Sequence, residues 1–257
     1  MDIHREKGFL IDSDLQGRLS IGIQSRNIDA CIAEVIRQQA YGVFGSPSYK
    51  FHEDNLNFLV NITHVQRVWF WDILLKDIDG LYALKRLKHF GVHPKRPPIS
   101  FSHFPQLEEM VWFYKSEDTG LASLQRLRTL QIWHYNPTHK SLDGLELPGK
   151  IEKFEINWSN TKSLSGLPKM PNLKELGIHR CRNLETLQEL PSLAPNLEHL
   201  VVASCGRVMD GPNIVRRLPR LRHAYVRDAV LVSQPKMQPR SIEDQATRKK
   251  SNRRSRN

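Results

Sequence analysis

Eleven histidines and three cysteines are the residues of this 257-residue chain best suited to hold a metal or attack a substrate. His89 and His93 are four apart, which suits one face of a helix, but Gly91 and Pro94 disfavour a helix there. His199 and His223 are 24 apart, and so are Cys181 and Cys205. His199 and His223 share an outward column with Glu175 and are the best metal candidate, but two histidines and a carboxylate on an open surface are usually solvated side chains. Ser, His and Asp occur in no spacing that specifies a nucleophile. No phosphate-cradling glycine loop, metalloprotease helix or nucleophile elbow is present. The expectation is therefore a chain without catalysis, metal or cofactor. An odd cysteine count argues against a disulfide framework and for a reducing compartment. No apolar run reaches the roughly 18 residues of a membrane helix. The reading is a soluble, cytoplasmic protein with no membrane contact.

The shared 24-residue spacing is a sign of internal repetition. A pattern recurs in which positions one, four and six are apolar. It reads Val65-x-x-Val68-x-Phe70, Leu107-x-x-Met110-x-Trp112 and Leu127-x-x-Leu130-x-Ile132. It continues as Ile151-x-x-Phe154-x-Ile156, Leu173-x-x-Leu176-x-Ile178 and Leu197-x-x-Leu200-x-Val202. Weaker copies are Leu84-x-x-Leu87-x-His89 and Leu221-x-x-Ala224-x-Val226. Pro105, Pro171, Pro195 and Pro219 each stand two residues before the pattern. Proline biases its predecessor to extended backbone, which suits the entry to a strand.

Side chains alternate along a strand, so positions four and six point into a core while three, five and seven point out. One such unit cannot bury its apolar row alone, and stacked units share a continuous core. The stretches Leu173 to Leu184 and Leu197 to Cys205 resemble the cysteine-type leucine-rich repeat. The turns Asp79-Gly80-Leu81 and Asp143-Gly144-Leu145 resemble the short repeats of internalin-type proteins. The resemblance covers about residues 56–232. It implies an α/β leucine-rich-repeat solenoid, a curved right-handed superhelix with a parallel β-sheet on its concave face.

The ends differ from the middle. Residues 19–23 alternate like a strand. Residues 28–41 carry Ile28, Cys31, Ile32, Val35, Ile36 and Ala40 at helical spacing, with Asn27 as N-cap and Gly42 as stop. Residues 1–55 are read as a helical N-terminal cap, residues 56–234 as about eight repeats, and residues 228–234 as closing the far end. The net charge is +11. Residues 235–257 hold eight of the basic residues against Glu243 and Asp244, a net +6, and read as a disordered basic tail.

The outward positions point to function. Position seven reads Trp71, Phe90, Phe113 and Trp133 in the first four copies, and position five adds Trp69. A solenoid does not need aromatics on its open face for stability, whereas contiguous exposed apolar surface marks interaction sites and Trp and Tyr are enriched among interface hot spots. Arg67, Arg86, Lys88 and Lys153 are mixed there with Glu109, Glu155 and Glu175. Both signs suit a protein partner better than a nucleic acid. The expected function is binding a partner protein through the concave face, in an adaptor, inhibitor, immunity-type or effector role. Trp69, Trp71, Phe90, Phe113 and Trp133 are the expected anchors, and Arg67, Lys88, Glu109 and Glu155 the flanking charges. The alternative is a nucleic-acid-associated protein acting through the basic tail.

Overall fold

The structure is a computed structural model that describes residues 3–93, 95–227 and 229–233. Thirteen strands form one open sheet in strict chain order. They are β1 (His4–Glu6), β2 (Phe9–Ser13), β3 (Leu19–Gly22), β4 (Gly42–Gly45), β5 (Arg67–Phe70), β6 (His89–Val92) and β7 (Glu109–Phe113). The rest are β8 (Thr129–Trp133), β9 (Lys153–Asn157), β10 (Glu175–His179), β11 (His199–Ala203), β12 (His223–Val226) and β13 (Ala229–Ser233). From β3 to β12 every pairing is parallel. Antiparallel strands close both ends, β1 and β2 at one and β13 at the other.

Each crossover is short. One-turn 3-10 helices such as Asn57–Asn61, Asp79–Ala83 and Leu121–Ser123 carry the return segments, and Leu190–Leu193 and Gly211–Val215 form single α-turns. A strand, a tight return and a strand in register with its neighbour, repeated in chain order, is the leucine-rich-repeat solenoid. Positions one, four and six of all eight repeats are buried, and they merge into one continuous core. Position nine supplies further stacking. The Ser159 hydroxyl donates to the Tyr135 carbonyl at 2.7 Å, and the Cys181 and Cys205 thiols point to carbonyls of the preceding repeat. Both cysteines are buried and free, as is Cys31.

The second repeat departs from the sequence reading by three residues. Arg67 pairs with His89 and Val68 with Phe90, so the motif there is Leu87-x-x-Phe90-x-Val92. The first strand after the helix also differs. Helix α1 spans Ile28–Arg37 and buries Cys31, Glu34 and Val35. It ends as Gln39 turns left-handed at φ 48°, and Gly42, expected as its stop, opens β4 instead. Asn27 stands at the N-cap without a side-chain hydrogen bond. The parallel ladder thus begins at β3, inside the segment expected to form a separate cover. The basic stretch 235–257 lies outside the described residues.

Candidate functional site

The strand register arranges the open face of the sheet into three rows. Position three runs Asp12, Ser20, Gly42, Arg67, His89, Glu109, Thr129, Lys153, Glu175, His199 and His223. Charges in this row pair along it. Arg67 reaches across the bare Gly42 to Asp12 at 3.4 Å, His89 Nδ1 lies 3.0 Å from Glu109, and Lys153 lies 3.1 Å from Glu175. The hydrogen bond from His89 holds the Glu109 carboxyl below its ordinary range, outweighing its partial desolvation. Burial alone would lower the Lys153 ammonium, but Glu175 and Glu155 outweigh it and raise it.

Position five carries Phe44, Trp69, Gly91, Val111, Gln131 and Glu155 in register. The Trp69 ring fills the space a side chain at Gly91 would occupy. Position seven carries aromatics along one flank. His93 and Phe113 lie 5.3 Å apart, and Phe113 and Trp133 stack at 5.8 Å. Trp71 packs edge-on against Tyr49 at 5.6 Å and tilts against Trp69 at 6.2 Å. Burial pulls the His93 imidazole below its usual range.

Between the first two rows lies a groove of about 360 Å³. Trp69 and Val111 form its floor. Arg67, His89, Glu109, Lys153 and Glu155 form its walls, and the β2–β3 turn overhangs it with Asp14 and Arg18. Asp14 holds Arg18 at 2.6 Å, and the guanidinium lies 4.1 Å above the Tyr41 ring. The groove therefore offers an aromatic surface between fixed charges of both signs.

The structure brings Arg67, Trp69, Glu109 and Glu155 together in this groove and sets Trp71, Phe113 and Trp133 on the flanking row. Two expected residues stand elsewhere. Phe90 is a core side chain, 2% exposed and edge-on to Phe101 at 5.7 Å. The three-residue shift of the second repeat puts it at position four rather than seven. By the same shift Lys88 moves to position two, at the rim, where it pairs with Glu108 at 3.2 Å. His89 and His93 take the outward places instead, and with Asp14 and Arg18 they are the residues sequence reasoning missed.

Position two is a second feature not anticipated. It reads Lys88, Glu108, Arg128, Glu152, Lys174, Glu198, Arg222, alternating in sign through seven repeats. Arg128 and Lys174 both approach Glu152, at 3.5 and 3.4 Å, and Arg222 approaches Glu198 at 3.3 Å. This rim is neutralised by its own neighbours.

Catalytic arrangements fare worse. His139, Ser141 and Asp143 touch, but the serine stands in the middle, 2.9 Å from His139 and 2.6 Å from Asp143. The imidazole does not bridge serine to carboxylate, so the set ties an exposed loop rather than activating a nucleophile. His199 and His223 stack at 5.0 Å, yet no group of three metal-ligating side chains is assembled among the described residues.

No protein-family model matches this sequence, and no curated protein matches it significantly. Among solved structures, an internalin C2 from Listeria monocytogenes is similar at 16% identity and a TM-score of 0.49, over 68% of this chain and 76% of that one. An internalin designated inlF from the same organism is similar at 10% identity and a TM-score of 0.45, over 82% of this chain and 73% of that one.

Proposed function

We propose that this chain is a binding module for another protein, and that the partner seats on the open face with the Trp69 groove as its anchor point. One observation carries the reading. Trp69, Phe113 and Trp133 stay partly exposed on a face whose core rows are already complete, so the fold gains little from their size. Rigid aromatics beside fixed charges of both signs supply anchoring area and orientation to a protein partner. Catalysis is not part of this reading, because no nucleophile, base and oxyanion donor converge in the groove.

A photo-crosslinking residue in place of Gln131, on the face, tests it in the native host, with Arg126 on an exposed return segment as comparison. The expected result is a discrete protein adduct from position 131 that is absent from position 126. Trp69→Ala should abolish it. Adducts of equal yield from both positions, or survival of the adduct in Trp69→Ala, would refute the assignment.

A further inference from the structure

One rim of the sheet carries a row of side chains on strained backbone. His134, Trp158, Arg180 and Ser204 directly follow β8, β9, β10 and β11, and their φ angles are 59°, 58°, 57° and 57°. This left-handed region disfavours L-residues, and a bulky ring there is an outlier. The stacking of repeats imposes it. The backbone N–H groups of His134, Trp158 and Arg180 donate to the carbonyls of Asn157, His179 and Ala203 one repeat on, each at 2.9 Å. Glycine would take this conformation without strain. The chain instead places an imidazole, an indole and a guanidinium there.

These groups are exposed and face one another. Trp158 is 37% exposed. The His134 ring lies 6.2 Å from the Trp158 ring at 36°, and the Arg180 guanidinium lies 4.7 Å from its centroid. The surrounding segments 133–139, 157–163, 179–184 and 203–209 contain no Asp or Glu but hold Lys162, Arg180, Arg182 and Arg207. Arg207 reaches Glu185 only at 3.9 Å. Arg180, Arg182 and Lys162 have no carboxylate partner among the described residues. The position-two rim pairs its charges off, whereas this one leaves three of its four cations without a carboxylate among the described residues.

We propose that this rim binds single-stranded nucleic acid. Unpaired bases stack on the exposed His134 and Trp158 rings, which stand 6.2 Å apart and tilted by 36° along the rim. Arg180, Arg182 and Arg207 meet the flanking phosphates. Stacked rings with adjoining guanidinium groups make a sequence-tolerant platform for unpaired bases. An acidic protein surface would use the charge but leave the exposed rings without a role. This site is separate from the Trp69 groove and stands or falls independently of it.

Fluorescence anisotropy of the full chain with a labelled single-stranded RNA of about 12 nucleotides tests the site, a length within the range of single-strand binders. Keeping residues 235–257 in every variant makes any contribution of that basic stretch common to all. Trp158→Ala should weaken binding about fivefold or more, and Trp158→Phe should restore most of it. Arg180→Glu with Arg182→Glu should flatten the salt dependence by about 0.7 in log–log slope for each phosphate no longer neutralised. A duplex of the same sequence should bind more weakly. Thermal melts should match wild type, because Trp158 lies outside the core. Absence of RNA binding, undiminished binding by Trp158→Ala, or equal competition by a polyglutamate peptide of the same charge would overturn the proposal.

Discussion

The indole of Trp69 covers the bare backbone of Gly91 on the neighbouring strand, and a β-carbon at 91 would stand inside the van der Waals surface of Cε3 and Cζ3. The groove floor exists because one strand gives up a side chain and the next folds its ring into the space. Gly91→Ala should push the ring off the sheet. The expected cost is about 1–3 kcal/mol, as for other overpacked sites. Tryptophan emission should shift to the red, and crosslinking from position 131 should fall. An unchanged melt with unchanged emission would show that the ring does not rest there.

Core and face residues should separate in thermal melts. Phe90 is 2% exposed, so Phe90→Ala should cost about 3–5 kcal/mol, comparable with Leu130→Ala at a fully buried site. Trp133 is partly exposed with one face stacked on Phe113, so Trp133→Ala should cost only about 1–2 kcal/mol. If Trp133→Ala melts like the Leu130→Ala control, the tryptophan belongs to the core and not to a binding face.

These two tests fall where the sequence was legible and where it was not. Repeats beginning at Leu107, Leu127, Ile151, Leu173, Leu197 and Leu221 were readable because their apolar positions agree in one register, several with a preceding proline. The second repeat was ambiguous for a physical reason. Leu81, Leu84 and Leu87 follow one another at three-residue steps, so the pattern fits at two registers. Only His89 in an inward position marked the wrong one. Strand β4 is four residues with glycine at both ends, which reads as punctuation until β3 and β5 flank it. Ring placements such as Trp69 over Gly91, and the left-handed backbone at Trp158, depend on the adjacent repeat. No local pattern encodes them.

Helix α1 makes a pH-dependent contribution. The Arg37 guanidinium donates to Glu34 at 2.7 and 2.5 Å, and the Gln38 amide adds a third hydrogen bond at 2.9 Å. Together they hold the Glu34 carboxyl at about 2. A depressed folded-state pKa stabilises the fold above the unfolded value near 4.3, and that stability is lost as pH falls toward about 2. Glu34→Gln should therefore reduce stability at neutral pH and match wild type near pH 2. A constant difference across that window would assign Glu34 a purely steric role.

The alternating rim makes a salt-dependent prediction. Glu152 stands between Arg128 and Lys174, so Glu152→Lys replaces two attractions with two repulsions. Exposed pairs contribute about 0.2–1 kcal/mol each, which puts the expected loss at about 1 kcal/mol or slightly more at low ionic strength. Screening at about 1 M salt, where the Debye length is near 3 Å, should remove most of it. Urea denaturation at both ionic strengths reads the difference. A loss that persists in high salt would mean Glu152 acts through packing.

The buried ion pair of Arg96 and Asp118 gives the largest expected effect. Both side chains are 0% exposed. The guanidinium donates to Asp118 at 2.8 and 2.6 Å, and the same carboxylate accepts from Trp112 Nε1 and the Ile99 backbone, each at 2.8 Å. The pair fastens the loop after β6 to the loop after β7 and fixes the core indole of Trp112. Removing either ion strands the other away from water. Arg96→Met and Asp118→Leu should therefore each cost about 3–5 kcal/mol. The double variant leaves no buried charge. It forfeits the acceptor of Trp112 and Ile99, at about 1–3 kcal/mol each, but escapes the penalty of an isolated ion. It should be much less damaging than the sum of the singles, so urea denaturation of all four proteins should show strong coupling. Additive losses would mean that the two groups do not compensate one another, and that the loops are held by their backbone hydrogen bonds instead.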